Sequence, residues 1–460
     1  MIREKPELIL HIGTLKTGST SLQSAFDNNT ELLCSEGIYY PPSQYAFWGR
    51  VLYSSINKEL QSGLWAEDER KIKNLKNSTD DLVRRVICQF NKSNCIKILI
   101  SNESFSLIPD IYRFANMNAN RLAESSQRND VFEKFNSFVD LYNDMLIRIK
   151  QLFDDFSIKI VCYVRRQDFF IESHYNQLNK RIGHMNGAYS VLKECRNYQE
   201  FIKSTNDYPF IDFTGPEYFN DISIYDFKNT CYYECLSRWA EVFGKENIIV
   251  KPFEKAQFNK GLIKDFFIDV LKINENKLKE LKEMHINEKI SRDLVEYLTK
   301  YEAAGNYYDN DDLYDITRKL NNKHMYQHYF TIQERAQLMN YHKEGNEKIA
   351  REFLGRLDGI LFYEAMEIEE EIYPGLSDDT KEFLDEEFDR IKKRNKRTMY
   401  KSICYFKSKF ARQKGYVQKT FYYKGVNLKN NSIIVQLYAL VLTGVLAVKY
   451  IVQKVAAEGR

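Results

Sequence analysis

The sequence predicts an α/β protein built on a parallel sheet flanked by helices. Short β-branched runs that are apolar on both faces alternate with helix-sized amphipathic stretches, and 43% apolar against 28% charged residues fits a globular chain rather than a disordered one. The runs are Leu8 to Ile12, Ile96 to Ile100, Ile158 to Val164 and Asn247 to Val250, and their double-sided apolar character suits strands covered on both faces. Helical patterns cover Ser21 to Asn28, Asp80 to Phe90, Phe132 to Phe153, Phe169 to Lys180 and Tyr232 to Phe243. Strand, helix, strand in repetition requires crossover connections, which is how parallel strands are joined.

Two spans, 104–131 and 183–228, are rich in Asn, Tyr and Gly and exceed what a minimal crossover needs. Loops of that length are lids or binding loops, otherwise disorder, and a ligand is expected to be gripped there. The region before residue 365 reads as mostly helical, with amphipathic spacing from Phe330 to Leu354. The expected organisation is an α/β body over 1–365, an acidic helical linker over 366–389 and a basic, apolar tail over 390–460.

Charge supports that division. Sixteen Lys or Arg and no carboxylate lie between Arg390 and Ala457, whereas residues 1–389 hold fifty basic and sixty-three acidic residues. The chain is an acidic body with a basic tail. Eight cysteines are scattered singly, with no CxxC pair and no His spacing suited to zinc, which implies a reducing compartment and no structural metal. The opening Met-Ile-Arg-Glu-Lys-Pro-Glu lacks an apolar signal region, so a cytoplasmic location is expected.

The first strand runs into Gly13-Thr14-Leu15-Lys16-Thr17-Gly18-Ser19-Thr20 and then directly into a helix. A turn with two glycines and a lysine aims backbone N–H groups and the positive end of a helix dipole at one spot, and such a spot binds phosphate. A nucleoside triphosphatase loop reads G-x-x-x-x-G-K-[ST]. Gly13 and Gly18 have that spacing, but Ser19 takes the lysine position and Lys16 lies inside the loop. An ordinary ATPase or GTPase is disfavoured; a Gly-rich turn without chemistry is the plain alternative.

The displaced lysine resembles the loop of sulfotransferases that use 3′-phosphoadenosine 5′-phosphosulfate, and the chain is similar to the bacterial carbohydrate sulfotransferases among them. That resemblance implies a P-loop-like fold, with the donor's 5′ end held by Gly13, Thr14, Lys16, Thr17, Gly18, Ser19 and Thr20. Lys16 would stabilise the bridging oxygen as the S–O bond breaks. The third strand ends in Val164-Arg165-Arg166-Gln167-Asp168, with Ser173 eight residues after Arg165. A guanidinium and a hydroxyl so placed can converge on one phosphate, and the pair is similar to the family's 3′-phosphate site. Arg166 offers a second contact, or the Arg-Arg pair is a solvated strand end. Trp239 to Glu254 is similar to a later helix and strand of the family, where Trp and Phe at helical spacing are read as core.

Sulfuryl transfer is helped by a group that takes the acceptor's proton, and family members use histidine or glutamate. Glu103, at the carboxyl edge of the second strand, is the candidate; a Glu merely closing a strand is the alternative. His11 reads as a satisfied core residue, with His174 and His184 in reserve. The C-terminal Arg-Lys-Gly signature of small-molecule sulfotransferases is absent, which turns the expected acceptor toward a carbohydrate or lipid-linked sugar. No metal is required, because Lys16, the loop amides and Arg165 carry the positive charge.

The tail interleaves aromatic and basic residues and then carries an apolar run over 433–448. Sixteen residues of helix span about 24 Å, short of the ~30 Å hydrocarbon core. Attachment to an anionic membrane surface on the cytoplasmic face is expected. A terminal helix docked on the acidic body is the alternative, and nucleic-acid binding leaves the apolar run unexplained. Outside the sulfotransferase reading stand a nucleotide or sugar kinase with an unusual loop and a catalytically idle membrane-attached binding protein.

Overall fold

Five strands, β1 (Glu7–His11), β2 (Ile38–Tyr39), β3 (Lys97–Ser101), β4 (Ser157–Val164) and β5 (Ile248–Pro252), form an all-parallel sheet in the order β2-β3-β1-β4-β5. The computed structural model describes residues 5–41, 48–65, 69–106, 128–181, 231–258, 260–279, 281, 289–300, 308, 310–320, 330, 332–364 and 373–394. β1 sits at the centre, with Leu8 opposite Ile98 of β3 on one side and Ile158 of β4 on the other. The chain leaves β1 toward β2 and β3 but leaves β4 toward β5. The two neighbouring strands therefore send their connections in opposite directions, which opens a crevice at their carboxyl ends.

In chain order the helices are α1 (Ser19–Asn28), α2 (Thr30–Ser35), α3 (Trp48–Trp65), α4 (Glu69–Lys92), α5 (Arg128–Leu152), α6 (Gln167–Arg181), α7 (Tyr232–Phe243), the short α8 (Leu262–Asp265), α9 (Arg292–Lys300), α10 (Asn310–Lys319), α11 (Ile332–Tyr341) and α12 (Lys343–Glu352). Alternate strand residues feed two cores. Leu8, Leu10, Ile98, Ile100, Ile160, Cys162 and Val250 meet buried residues of α3, α4, α5 and α7, while Ile9, Leu99, Val161 and Tyr163 meet Leu22, Phe26, Leu33 and Phe266. This double covering is why the strands read as continuous apolar runs. Trp239 is fully buried, stacks on Phe243 at 5.3 Å and donates Nε1–H to the Tyr142 hydroxyl at 2.8 Å, a core role as expected.

Several elements differ from the sequence expectation. β2 and α3 were not foreseen, α4 begins at Glu69 rather than Asp80, and Phe330 to Leu354 is divided into α11 and α12 around the buried His342. Cysteines read as single are not all apart: the Cys34 and Cys95 sulfurs lie 3.6 Å from each other. The chain separates into two units, 1–303 with 313–376 and 304–312 with 377–460, and that division falls within the expected linker. In the second unit, helix 378–394 places Arg394 on Asp312 through two bonds of 2.7 Å. Among the described residues no helix is long and apolar enough to cross a membrane. The apolar run expected at 433–448, the whole of the span 183–228 and residues 107–127 of the span 104–131 lie outside the described residues; of the latter span, 104–106 belong to a single turn and 128–131 open α5 rather than a loop.

A buried charge network fixes α6 against α11. Arg166 pairs with Asp168 through two 2.9 Å bonds, Arg335 bridges Asp168 and Glu172, and the Phe330 N–H donates to Glu172 at 3.1 Å. Burial works to raise the Asp168 carboxyl, but Arg166 and Arg335 outweigh it and hold its pKa below the ordinary carboxylate value. That stability is present above the unfolded-state pKa and is lost as pH falls through the lower folded value. Arg335→Lys keeps the charge but loses the planar fork. It should cost about 1.5–3 kcal/mol, the worth of one charge-assisted bond, in urea unfolding at neutral pH, and less at a pH where Asp168 is protonated.

Candidate functional site

The segment after β1 is drawn onto β4: the Ile12 N–H bonds to the Val161 carbonyl at 2.9 Å and the Thr14 N–H to the Tyr163 carbonyl at 3.0 Å. The Thr14 hydroxyl donates to the same Tyr163 carbonyl at 3.0 Å, and the Thr17 hydroxyl to the Thr14 carbonyl at 2.6 Å. Both hydroxyls, and the Thr14 backbone N–H with them, are thus spent on the shape of the loop. Lys16 has φ 65°, rare for a residue with a side chain, and such strain costs on the order of 1–3 kcal/mol.

Gly18 caps α1 in a left-handed conformation, φ 75°, where an added Cβ would stand 2.4 Å from Leu262 Cδ2. It supplies no side-chain cap, and the first turn of α1 holds no carboxylate. The dipole end and its N–H groups therefore face the loop without an internal counter-charge. Ser19 is buried, and its Oγ has no hydrogen-bond partner. An unpaired buried hydroxyl beside an uncapped helix end suits an anion. Thr20 is half-buried at the next position.

The end of β4 adds cations. Arg165 is half-buried, donates to the Lys16 carbonyl at 2.9 Å and lies 5.5 Å from the Phe253 ring centre. The Lys16 ammonium reaches Gln177 Oε1 at 3.4 Å. Gln177 is one turn beyond Ser173 on α6, which sets Lys16 beside the helix that carries Ser173. Ser173 is half-buried. Arg166 is placed otherwise. It is buried with Asp168 and also donates to the Glu364 carbonyl at 2.9 Å, so the second contact foreseen for it is replaced by a structural role.

Lys289 is a site residue the sequence did not reveal. Asn176 clamps the chain beside it, donating to the Ile290 carbonyl at 3.0 Å and accepting from the Ile290 N–H at 3.3 Å. The side chain is exposed, yet its pKa lies below the usual lysine value, first through desolvation by its surroundings and then through the Arg165 guanidinium, with Glu172 acting in the opposite sense. Cations crowded in this way favour a bound anion.

Glu103 opens a single turn, Glu103–Ser106, after β3 and accepts from Gln23 Nε2 at 3.0 Å. It is half-buried and lies on the β3 side of β1, whereas Arg165 lies on the β4 side. Gln23, buried on α1, also escaped the sequence reading. His11 is buried in the core as expected, and burial lowers its pKa to about 3, but it is only half satisfied: Nδ1 meets Ser101 Oγ at 2.8 Å and Nε2 has no partner. The side chain of His174 and the whole of His184 lie outside the described residues.

No family profile matches this chain, and no solved structure matches it. A protein of Archaeoglobus fulgidus that carries only the description "Uncharacterized protein" is 24% identical over 225 residues, which is 48% of this chain and 52% of that protein. The matched segment thus spans about half the length of each.

Proposed function

We propose that the chain is a sulfotransferase that binds 3′-phosphoadenosine 5′-phosphosulfate and passes its sulfuryl group to a hydroxyl of a carbohydrate or lipid-linked sugar. What supports the reading is that two elements suited to anions stand at the carboxyl ends of adjacent strands: the loop 13–18 after β1, which leads into α1 without a side-chain cap, and Arg165 after β4, with Ser173 on the helix that follows and the Lys289 charge acting on Arg165. A nucleotide with phosphate at both its 5′ and 3′ positions matches two such elements. Lys16 inside the loop, rather than at the position Ser19 occupies, favours sulfuryl over phosphoryl transfer by resemblance to the sulfotransferase loop.

In this reading the acceptor hydroxyl oxygen attacks sulfur in line, the new O–S bond forms, and the bond from sulfur to the bridging oxygen breaks. The acceptor proton passes to the Glu103 carboxylate, and the negative charge left on the 5′-phosphate is met by Lys16 and the N–H groups at the start of α1. Such preorganised charge is worth most in the transition state. The acceptor's grip is assigned to the two long loops, and attachment to anionic lipid to the tail.

The second subsite is tested by discrimination between ligands. Arg165→Ala is a poor probe, because losing its bond to the Lys16 carbonyl disturbs both elements. Lys289→Met keeps the stem and removes only the charge. It should weaken the 3′,5′-bisphosphate product about 10- to 150-fold, from a charge-assisted bond of about 1.5–3 kcal/mol, and leave the 3′-dephospho analogue nearly unchanged in calorimetric titration. Equal weakening of both ligands counts against the assignment.

A further inference from the structure

The buried polar line beneath the loop admits one direction in which every proton finds an acceptor. Gln23 presents its Nε2 to Glu103 Oε2 at 3.0 Å, and since a carboxylate only accepts, the amide must face it with its NH₂ group. The same nitrogen lies 3.4 Å from Ser101 Oγ, so the Ser101 oxygen is an acceptor toward Gln23 and its own proton points elsewhere. Among the described residues the acceptor at hand is His11 Nδ1, 2.8 Å away. A His11 that takes this proton at Nδ1 and stays uncharged in the core carries its single hydrogen on Nε2.

That Nε2 is buried and unpartnered, and so is Ser19 Oγ. Both stand beside the bare Cα of Gly13: a Cβ there would lie 3.0 Å from His11 Nε2 and 3.1 Å from Ser19 Oγ. Glycine at position 13, with φ 34°, leaves that space open. We propose that His11 is a positioning residue whose Nε2–H donates to Ser19 Oγ, after a turn of the Ser19 side chain, and so directs the Ser19 hydroxyl proton toward an anion in the loop. A one-way chain of donors, Gln23 to Ser101 to His11 to Ser19, then links the neighbourhood of Glu103 to the anion site. The inference rests on the anion-binding reading of the loop but not on which anionic group it takes.

Two substitutions separate the nitrogens. In His11→Asn the amide replaces Nδ1 and nothing replaces Nε2; in His11→Gln an amide N–H returns to the ε position. With inorganic pyrophosphate as the probe, His11→Asn should weaken binding about 3- to 10-fold, the range of one net hydrogen bond. The loss should vanish in a Ser19→Ala background, and His11→Gln should restore most of the affinity. A loss of equal size with and without the Ser19 hydroxyl overturns the pairing. Independently, the full chain labelled with ¹⁵N-histidine, with His11 assigned from the His11→Gln spectrum, should show the Nε2-protonated neutral tautomer; the Nδ1-protonated form overturns the proposal whatever the affinities of the variants. Wild type that fails to bind pyrophosphate sinks the anion loop itself, and the tautomer then still decides the direction of the chain.

Discussion

Lys16→Ala is expected to lower turnover about 10²- to 10³-fold, the scale on which removing one preorganised donor to a developing negative charge acts, while affinity for the 3′,5′-bisphosphate changes little. The backbone should hold, because Lys and Ala face the same penalty at φ 65° and the loop's shape depends on the Thr14 and Thr17 bonds rather than on the ammonium. What disappears is the charge next to the bridging oxygen when that oxygen gains charge. Lys16→Gly is a useful companion, since it removes the same group while relieving the left-handed strain. Single-turnover rates with labelled donor, set beside calorimetric binding, separate the effects. Weakened binding with unchanged turnover contradicts the role given to Lys16.

Glu103→Gln should lower turnover about 10²- to 10⁴-fold, the usual span for loss of a general base, with donor binding intact. The substitution keeps the shape, and an amide at position 103 can still accept from Gln23, so the turn after β3 stays anchored to α1. The remaining defect is the missing proton acceptor. Rates measured across the pH range with the acceptor found by screening polysaccharide and lipid extracts provide the check. Near-normal activity transfers the role to His174 or His184.

Four of the five strands were legible within a residue or two of each end because a strand buried on both faces leaves a contiguous β-branched run. β2 was not, since Ile38 and Tyr39 are too few to make a pattern. α3 did carry a signal, with Trp48, Leu52 and Ile56 at helical spacing and buried together, and it was overlooked in a polar stretch. The first turns of α4 carried a signal too, since Ile72 and Leu75 are in helical register with the buried Thr79, Val83 and Val86, but two apolar residues among many charges make a faint stripe.

The candidate site divides in the same way. The loop 13–20 and the Arg165 to Ser173 spacing lie in single stretches of chain, where strand, turn and helix follow one another, and they were readable. Lys289 belongs to no motif and reaches the site only because Asn176 holds Ile290, a long-range bond that spacing cannot reveal. Arg166 was misjudged for the same reason, since its partner Asp168 is nearby in sequence but Arg335, which completes the network, is not.

The most direct test of the central claim is a calorimetric titration of the full chain with the 3′,5′-bisphosphate of adenosine, without magnesium, beside ATP with magnesium. The two-element site should take the bisphosphate at least about tenfold more tightly, a difference of about 1.4 kcal/mol, because only that ligand carries an anion for both the loop after β1 and the cations beyond β4. Preference for ATP with magnesium would instead make the chain a kinase with an unusual loop, and binding of neither would make it an idle relic; either result contradicts the sulfotransferase account.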